Sequence, residues 1–219
     1  MRLRKEEISR KLLHLFALVM PIGIFYMPKW SMPDYLPTSL LAVFLVGSIV
    51  VETLRFRIPA VQKVFYLLFG SMLREEESSK TTGSTYVVGA ALLCSILFRN
   101  HPHISFMVLS LFILGDAVAA IVGISIGRIK IGKKSLEGSA ACFLLCITLF
   151  YGVFPFVPGL LEQWGNRVPF LIVLVTSFAI TFFELIPLKI TPKFTINDNL
   201  AVPVIAGYTM LGLSVLLGI

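Results

Sequence analysis

The chain has 219 residues, of which 57% are hydrophobic and only 14% are charged, and its formal net charge is +7. A soluble domain of this length carries about 25% charged residues, so the composition excludes an ordinary soluble domain and indicates an integral membrane protein. Its apolar runs are continuous, not alternating, which predicts an all-α, multi-pass membrane helix bundle forming a single domain over residues 1–219. The positive charge fits basic loops better than a nucleic-acid interface, and no nucleic-acid partner is expected.

The first apolar segment directly follows a charged N-terminus, MRLRKEEISRK. Residues 20–30, MPIGIFYMPKW, are too bulky for a signal-peptide cleavage site. We therefore expect that the first helix is retained. Seven segments are long enough, or nearly so, to cross about 30 Å of hydrocarbon. They cover approximately residues 12–28, 36–54, 82–98, 104–127, 139–157, 168–187 and 199–218.

A further apolar stretch, residues 58–73, has a proline, Pro59, at its second position. We interpret it as an interfacial helix or a re-entrant segment and not as an eighth membrane span. The sequence leaves these two alternatives open.

The basic residues predict the orientation of the bundle. If the N-terminus is cytosolic and the seven spans alternate, 16 of the 19 Lys and Arg residues fall on the cytosolic side. Such asymmetry is typical of membrane proteins and predicts an outward C-terminus. Ten of the twelve acidic residues also fall in cytosolic loops or in helices that end there. Because acidic residues do not follow the topology rule, their sidedness indicates a functional site facing the cytosol.

Asp116 lies within the fourth predicted span, where an ionised side chain costs roughly 2.5–3.5 kcal/mol on insertion scales. Small residues follow it on the same helix face, at Ala119, Ala120, Gly123 and Gly127. Such a strip is also typical of close helix packing, but packing alone does not require an aspartate. We therefore predict a functional Asp116 facing the bundle interior.

The loop after this helix reads RIKIGKKSLEGS. Adjacent lysines, a hydroxyl, a carboxylate and a glycine suit a polyphosphate with its magnesium ion. The loop does not match a P-loop, and its lysines alone are also compatible with an ordinary cytosolic loop. Its proximity to Asp116 strengthens the interpretation as a nucleotide site.

The combined pattern, D-x2-A-x3-G-x3-G followed by K-K-[S/T]-x-E-G, resembles the CTP-binding signature of the dolichol kinase family. That family includes phytol kinases and CTP-dependent diacylglycerol kinases. RKLLH (residues 10–14), LREEESSKTTGSTY (73–86) and TPKFTINDNLAVP (191–203) resemble other blocks of the family, so the resemblance covers nearly the whole chain. All four blocks fall on the predicted cytosolic side.

The resemblance implies a membrane kinase that transfers a phosphoryl group from CTP to a lipid alcohol with Mg2+. The catalytic residues that it implies are Asp116, Lys133, Lys134 and Glu137. The implied metal ligands are Asp116, Asp198 and Glu137. The implied nucleotide site consists of Arg74, Ala119, Gly123, Gly127, Lys133, Lys134, Ser135, Gly138 and Asn199. One carboxylate, for example Asp116, would accept the proton of the alcohol.

Several polar residues have two interpretations. Asp198 suits a helix N-cap as well as a metal ligand, and Glu184 suits a site residue as well as a side chain reaching toward the membrane surface. Glu52 and Arg55 have the spacing of an ion pair. We expect a solvated turn at His101 and His103 and buried, unpaired thiols at the three cysteines, Cys94, Cys142 and Cys146.

Two other functions are compatible with the sequence. A CTP-dependent phosphatidate cytidylyltransferase has a similar membrane site with small residues and lysines. A transporter or scramblase would use Asp116 and Glu184 as an ion relay, but no internal repeat supports it. The sequence does not select among polyprenol, phytol and diacylglycerol, between CTP and ATP, or among oligomeric states.

Overall fold

The computed structural model describes residue 10, residues 14–70, residue 73 and residues 75–186, 188–191 and 194–219. These residues contain eight α-helices, and the coarse prediction of an α-helical membrane protein is confirmed. The helices are α1 (Val19–Lys29), α2 (Leu36–Arg57), α3 (Pro59–Phe69), α4 (Gly83–Leu97), α5 (Pro102–Ser125), α6 (Leu136–Gly152), α7 (Phe170–Leu185) and α8 (Asp198–Leu217).

Two small antiparallel hairpins, which the sequence did not predict, interrupt the helical chain. The first pairs β1 (Lys130–Ile131) with β2 (Lys134–Ser135) between α5 and α6. The second pairs β3 (Lys189–Thr191) with β4 (Phe194–Thr195) between α7 and α8. Each hairpin therefore follows one predicted membrane helix and precedes the next.

Four helices within the described residues are long and apolar enough to cross a membrane. They cover Leu36–Arg57, Pro102–Ser125, Leu136–Phe156 and Asp198–Leu217, and shorter apolar helices cover His14–Tyr26, Gly83–Leu97 and Phe170–Leu185. These seven helices correspond to the seven predicted segments. The number of spans and the side of the N-terminus stay predictions.

Helix α5 forms the centre of the bundle and packs against α1, α6 and α8. Its residues from His103 to Ile113 are all buried, and Met107, Leu109 and Leu111 are completely inaccessible. A helix with apolar residues on every side is typical of a position in the core of a large protein or of a membrane span. The central position of α5 therefore carries Asp116 into the interior of the bundle.

Helix α3 is an 11-residue helix that begins at Pro59. At 1.5 Å per residue it is about 16 Å long, roughly half of the hydrocarbon thickness. Its apolar residues Val64, Leu67 and Leu68 are exposed on the surface of the protein. This length fits the prediction that residues 58–73 do not form an eighth span.

The expectation of a solvated turn at His101 and His103 is wrong for His103. This side chain is only 3% exposed, and its ring packs edge-on against Trp164 with the ring centroids 5.9 Å apart. The aromatic residue comes from a segment 61 positions later in the chain, so the local HPH pattern did not reveal the burial. Nearby, Nδ1 of His101 lies 3.3 Å from Oε1 of Gln163.

Candidate active site

The hairpin between α5 and α6 places the lysine pair. Gly132 has a positive φ of 62° at the turn, a conformation that favours glycine. Lys133 follows it in the turn and is exposed, whereas Lys134, the first residue of β2, is half-buried. Ser135 then caps α6 by accepting a hydrogen bond of 3.1 Å from the backbone N–H of Gly138.

The predicted strip of small residues forms a close contact between α5 and the start of α6. A Cβ atom added at Gly123 would lie 2.8 Å from Oγ of Ser135, and one added at Gly127 would lie 2.6 Å from the same atom. A Cβ atom at Gly138 would lie 2.5 Å from the carbonyl oxygen of Ala119. These residues therefore bring the lysine hairpin close to the helix that carries Asp116.

Glu137 fastens the loop that precedes the hairpin. Its Oε1 accepts hydrogen bonds from the backbone N–H groups of Arg128 (2.9 Å) and Ile129 (3.1 Å). Two charge-assisted bonds hold the loop against the first turn of α6. This contact gives Glu137 a structural role in addition to its predicted role at the metal.

Lys134 joins three elements of the site. Its Nζ lies 2.8 Å from Oε1 of Glu184 and 2.6 Å from Oδ2 of Asp198, and it also donates to the backbone carbonyl oxygen of Glu184. An ammonium group has three donors, so these contacts account for all of them. Lys134 thereby connects the hairpin to the end of α7 and to the start of α8.

Burial of the Lys134 amine by itself lowers its pKa, but the charges of Glu184 and Asp198 and their hydrogen bonds outweigh burial. The pKa of Lys134 consequently lies above its ordinary value. The group is an ammonium ion at neutral pH and neutralises part of the negative charge around it.

Asp116 lies near this cluster and also contacts the first apolar helical segment. Its Oδ2 is 3.3 Å from Nε2 of His14, and both side chains are largely buried. Asp116 and Asp198 are both close enough to Glu184 to interact with it electrostatically. Two carboxylates, those of Glu184 and Asp198, therefore contact the Lys134 ammonium group, and a third, that of Asp116, lies close to Glu184.

Glu184 is a deeply buried member of the cluster and is only 4% exposed. Lys134 binds one of its carboxylate oxygens, Oε1. The other oxygen, Oε2, is inaccessible and has no hydrogen-bond partner among the described residues. Glu184 therefore belongs to the buried charged cluster and does not reach toward the membrane surface, while a role for it in catalysis stays a prediction.

The start of α8 connects the cluster to α4. Asn197, and not Asp198, is the N-cap residue, with its side chain accepting a hydrogen bond from the N–H of Asn199. The side chain of Asn199 donates to the carbonyl oxygen of Gly83 (3.1 Å), and Oε1 of Glu77 accepts from the N–H of Gly83 (2.7 Å). The N-termini of α4 and α8 therefore lie side by side.

The expected pair of Glu52 and Arg55 contacts the segment that precedes α4. Nε of Arg55 donates to Oε2 of Glu52 over 2.6 Å, and both side chains are buried. Oε1 of Glu52 accepts from the N–H and the hydroxyl of Thr82. Arg55 also donates to the carbonyl oxygens of Glu77 and Lys80. The pair thus organises the loop that leads into α4.

No family model matches the chain, and no solved structure is similar to it. By sequence, it is 27% identical over 215 residues to CTP-dependent diacylglycerol kinase 1 of Schizosaccharomyces pombe, which covers 93% of this chain and 91% of that protein. It is 29% identical over 212 residues to a probable chloroplastic phytol kinase of Triticum aestivum, covering 92% of this chain and 66% of that protein. The chain is therefore similar over nearly its whole length to proteins named as lipid kinases.

A further relative of the chain is an uncharacterized protein of Rickettsia prowazekii. The two are 26% identical over 203 residues, which is 90% of this chain and 89% of the relative. The similarities therefore extend over nearly the whole helix bundle and not over the lysine hairpin alone.

The structure brings together only part of the site that the sequence predicted. Lys134 and Asp198 are in direct contact, and Asp116 lies near them. Asn199 belongs to the adjoining contact with α4, and Ser135 and the small residues form the contact between α5 and α6. Arg74 lies outside the described residues, and the nucleotide-binding role of every one of these positions stays a prediction.

The predicted metal ligands fit the way in which proteins bind Mg2+. No group of three His, Cys, Asp or Glu side chains converges as a preformed metal site in the described part of the chain. Mg2+ at a nucleotide does not need one, because it commonly uses one or two carboxylates together with phosphate oxygens and waters. Asp116 and Asp198 are both partly exposed, and both lie close enough to Glu184 to interact with it electrostatically. Asp116, Asp198 and Glu137 stay the predicted ligands.

Proposed function

We propose that this protein is a CTP-dependent, Mg2+-assisted kinase that phosphorylates a membrane lipid alcohol at the cytosolic face. The observation that carries the proposal is the cluster of Lys134, Glu184 and Asp198 near Asp116, which joins two of the blocks that resemble the CTP-dependent lipid kinases. A similarity to a CTP-dependent diacylglycerol kinase over 93% of the chain supports the same reaction.

The reaction requires positioning and charge neutralisation more than covalent help from the protein. The oxygen of the alcohol attacks the γ-phosphorus of CTP, and the bond from this phosphorus to the bridging oxygen breaks. CDP leaves with the electron pair of that bond, and a carboxylate of the protein accepts the proton of the alcohol. The products are a lipid phosphate and CDP.

The residues of the chain have distinct tasks in this proposal. Lys133, exposed at the turn of the hairpin, neutralises charge on the phosphates. Lys134 holds Glu184 and Asp198 in position for the incoming nucleotide. Asp116 and Asp198 hold Mg2+, which when bound neutralises the charge of the phosphate oxygens. The lipid alcohol reaches the site from the bilayer.

The decisive experiment uses CTP labelled at either the γ- or the α-phosphate, with purified protein and separate preparations of diacylglycerol, phytol and polyprenol. We expect label in the lipid only from γ-labelled CTP, and only when Mg2+ is present. Transfer of the α-label to phosphatidate would instead identify a cytidylyltransferase. Lipid or ion flux in proteoliposomes without nucleotide would identify a transporter. ATP labelled at the γ-phosphate serves to test the choice of nucleotide.

The side of the site is tested with sealed membrane vesicles. Inverted vesicles, which expose the cytosolic face, should incorporate label from added CTP, whereas right-side-out vesicles should do so only after permeabilisation. The reverse pattern would contradict the proposed orientation.

A further inference from the structure

Glu184 is held firmly at one carboxylate oxygen and has no partner at the other. Lys134 contacts both Oε1 and the backbone carbonyl oxygen of Glu184, which fixes the position of the side chain. Oε2 is inaccessible and, among the described residues, accepts no hydrogen bond. A buried oxygen in this state costs free energy and requires an explanation, such as a ligand that supplies the missing donor.

Helix α7 carries three hydroxyls in the same condition, those of Thr176, Ser177 and Thr181. Ser177 and Thr181 precede Glu184 by seven and three residues, so these two side chains and that of Glu184 lie on one face of the helix. Neither of these two hydroxyls has a hydrogen-bond partner among the described residues. We call Ser177, Thr181 and Glu184 the α7 polar strip. It extends about 10 Å along the helix axis, from the site toward the middle of the membrane segment.

Hydroxyls in the other helices of this protein behave differently. Each of six donates to the carbonyl oxygen four residues earlier, as is usual in membrane helices: Ser39, Thr53, Ser139, Thr148, Thr209 and Ser214. The unpartnered hydroxyls of the α7 polar strip are therefore not a general property of the fold. Unpartnered polar groups inside a membrane bundle mark paths for polar ligands.

The missing donor at Glu184 does not come from its charged neighbours. The three donors of Lys134 are already engaged, and Asp116 and Asp198 as carboxylates only accept. Mg2+ keeps several of its waters when it binds. It therefore suits the more exposed carboxylate of Asp198 better than Oε2 of Glu184, which solvent does not reach. A lipid hydroxyl arriving from the bilayer carries the required O–H group and sheds little water.

We propose that Oε2 of Glu184 accepts the hydroxyl of the lipid alcohol and receives its proton as the oxygen attacks phosphorus, while the α7 polar strip receives the polar end of the lipid. This inference rests on the proposed kinase function, and it moves the proton acceptor from Asp116 to Glu184. The proton passes from the alcohol oxygen to Oε2, and the new bond forms between that oxygen and the γ-phosphorus as CDP departs.

The test compares Glu184→Gln and Glu184→Asp with the wild-type protein under the labelled-CTP assay. Glutamine keeps the size of the side chain and an oxygen for Lys134 but removes the anionic acceptor. We expect Glu184→Gln to lower kcat by about 100-fold or more, with unchanged KM for CTP and an unchanged Mg2+ requirement, and Glu184→Asp to recover part of the rate. Glu162→Gln, which alters an exposed glutamate in a different segment, is the matched control.

Three results would overturn the inference. Normal kcat in Glu184→Gln would exclude the carboxylate as acceptor. A shift in the half-saturating Mg2+ concentration would make Glu184 a metal ligand, and a raised KM for CTP with normal kcat would assign it to the nucleotide through Lys134. If wild-type protein itself transfers no γ-phosphate, the proposed function fails and this inference fails with it, whereas an active wild type with an equally active Glu184→Gln rejects this inference alone.

A second variant keeps the inference testable if Glu184→Gln does not fold. Thr181→Val removes one hydroxyl of the α7 polar strip with little change in volume. We expect KM for the lipid to rise about fivefold, which is the loss of one hydrogen bond of about 1 kcal/mol, with unchanged KM for CTP. An unchanged KM for the lipid in Thr181→Val would contradict the role of the strip.

Discussion

The amine of Lys134 and the carboxylate of Asp198 lie 2.6 Å apart, although 64 positions separate them in the chain. This contact joins the hairpin after α5 to the first residue of α8, and Glu184 attaches the end of α7 to the same amine. Three parts of the bundle therefore meet at one charged group. The contact gives Lys134 a structural task that an ordinary cytosolic lysine does not have.

We predict that Lys134→Met destabilises the protein by about 2 kcal/mol, a value between those of exposed and fully buried ion pairs. The substitution leaves Glu184 with a buried, uncompensated charge. Thermal unfolding in detergent measures the loss, and activity should fall with it. Lys134→Arg, which keeps the charge, should retain most of the stability. An unfolding temperature for Lys134→Met equal to that of the wild type would exclude this structural task.

In contrast to Lys134→Met, we expect Lys133→Ala to change nucleotide binding and not the stability of the protein. Because Lys133 is exposed at the turn of the hairpin, its loss should leave the unfolding temperature unchanged. We expect KM for CTP to rise about tenfold, since a charge-assisted contact with phosphate contributes about 1.5 kcal/mol. Arg99→Ala, at an exposed position in another loop, is the control. A normal KM in Lys133→Ala would remove this residue from the nucleotide site.

The sequence predicted the features that depend on local patterns. Long apolar runs locate the seven apolar helices, and the spacing of Asp116, Gly123 and Gly127 predicts one face of α5 turned toward the protein interior. The spacing of Glu52 and Arg55 predicts their ion pair. Each of these inferences needs only the repeat of a single helix.

Contacts between distant segments were harder to predict. Glu184 had two equal interpretations because its partner, Lys134, lies 50 residues earlier. The contacts of Glu52 with Thr82 and of Asn199 with Gly83 were missed for the same reason. A buried acid in an apolar segment was the one available signal, since such a residue requires a partner of opposite charge.

Gly123→Ala tests the close contact between α5 and α6. The new Cβ would lie 2.8 Å from Oγ of Ser135, which caps α6. We expect a destabilisation of about 1–3 kcal/mol from overpacking, visible in thermal unfolding. Gly47→Ala is the matched control, because it also lies within a long membrane helix and its Cβ would meet nothing within 4 Å. Equal stability of the two variants would show that Ser135 and its neighbours accommodate the added methyl group with no loss of stability.

Asp116→Asn should abolish turnover while the protein still inserts into the membrane. Asparagine keeps the size of the side chain and an oxygen within reach of His14, but it loses the charge expected to hold Mg2+. Labelled-CTP transfer measures turnover, and recovery of the variant from membranes measures insertion. Asp34→Asn, at an exposed position in a loop, serves as the control. Near-normal turnover in Asp116→Asn would remove Asp116 from the mechanism.

Glu52→Gln should destabilise the protein by about 3 kcal/mol, because the side chain of Arg55 is only 2% exposed and would lose its counter-charge. Glutamine offers one acceptor oxygen, whereas Glu52 uses one oxygen for Thr82 and the other for Arg55. The double variant Glu52→Gln with Arg55→Met removes both charges, so it should be less unstable than the sum of the two single variants. It should not regain full stability, since Arg55 also supports the carbonyl oxygens of Glu77 and Lys80. Additive effects in this double-mutant cycle, measured by thermal unfolding, would show that the two residues do not act as a pair.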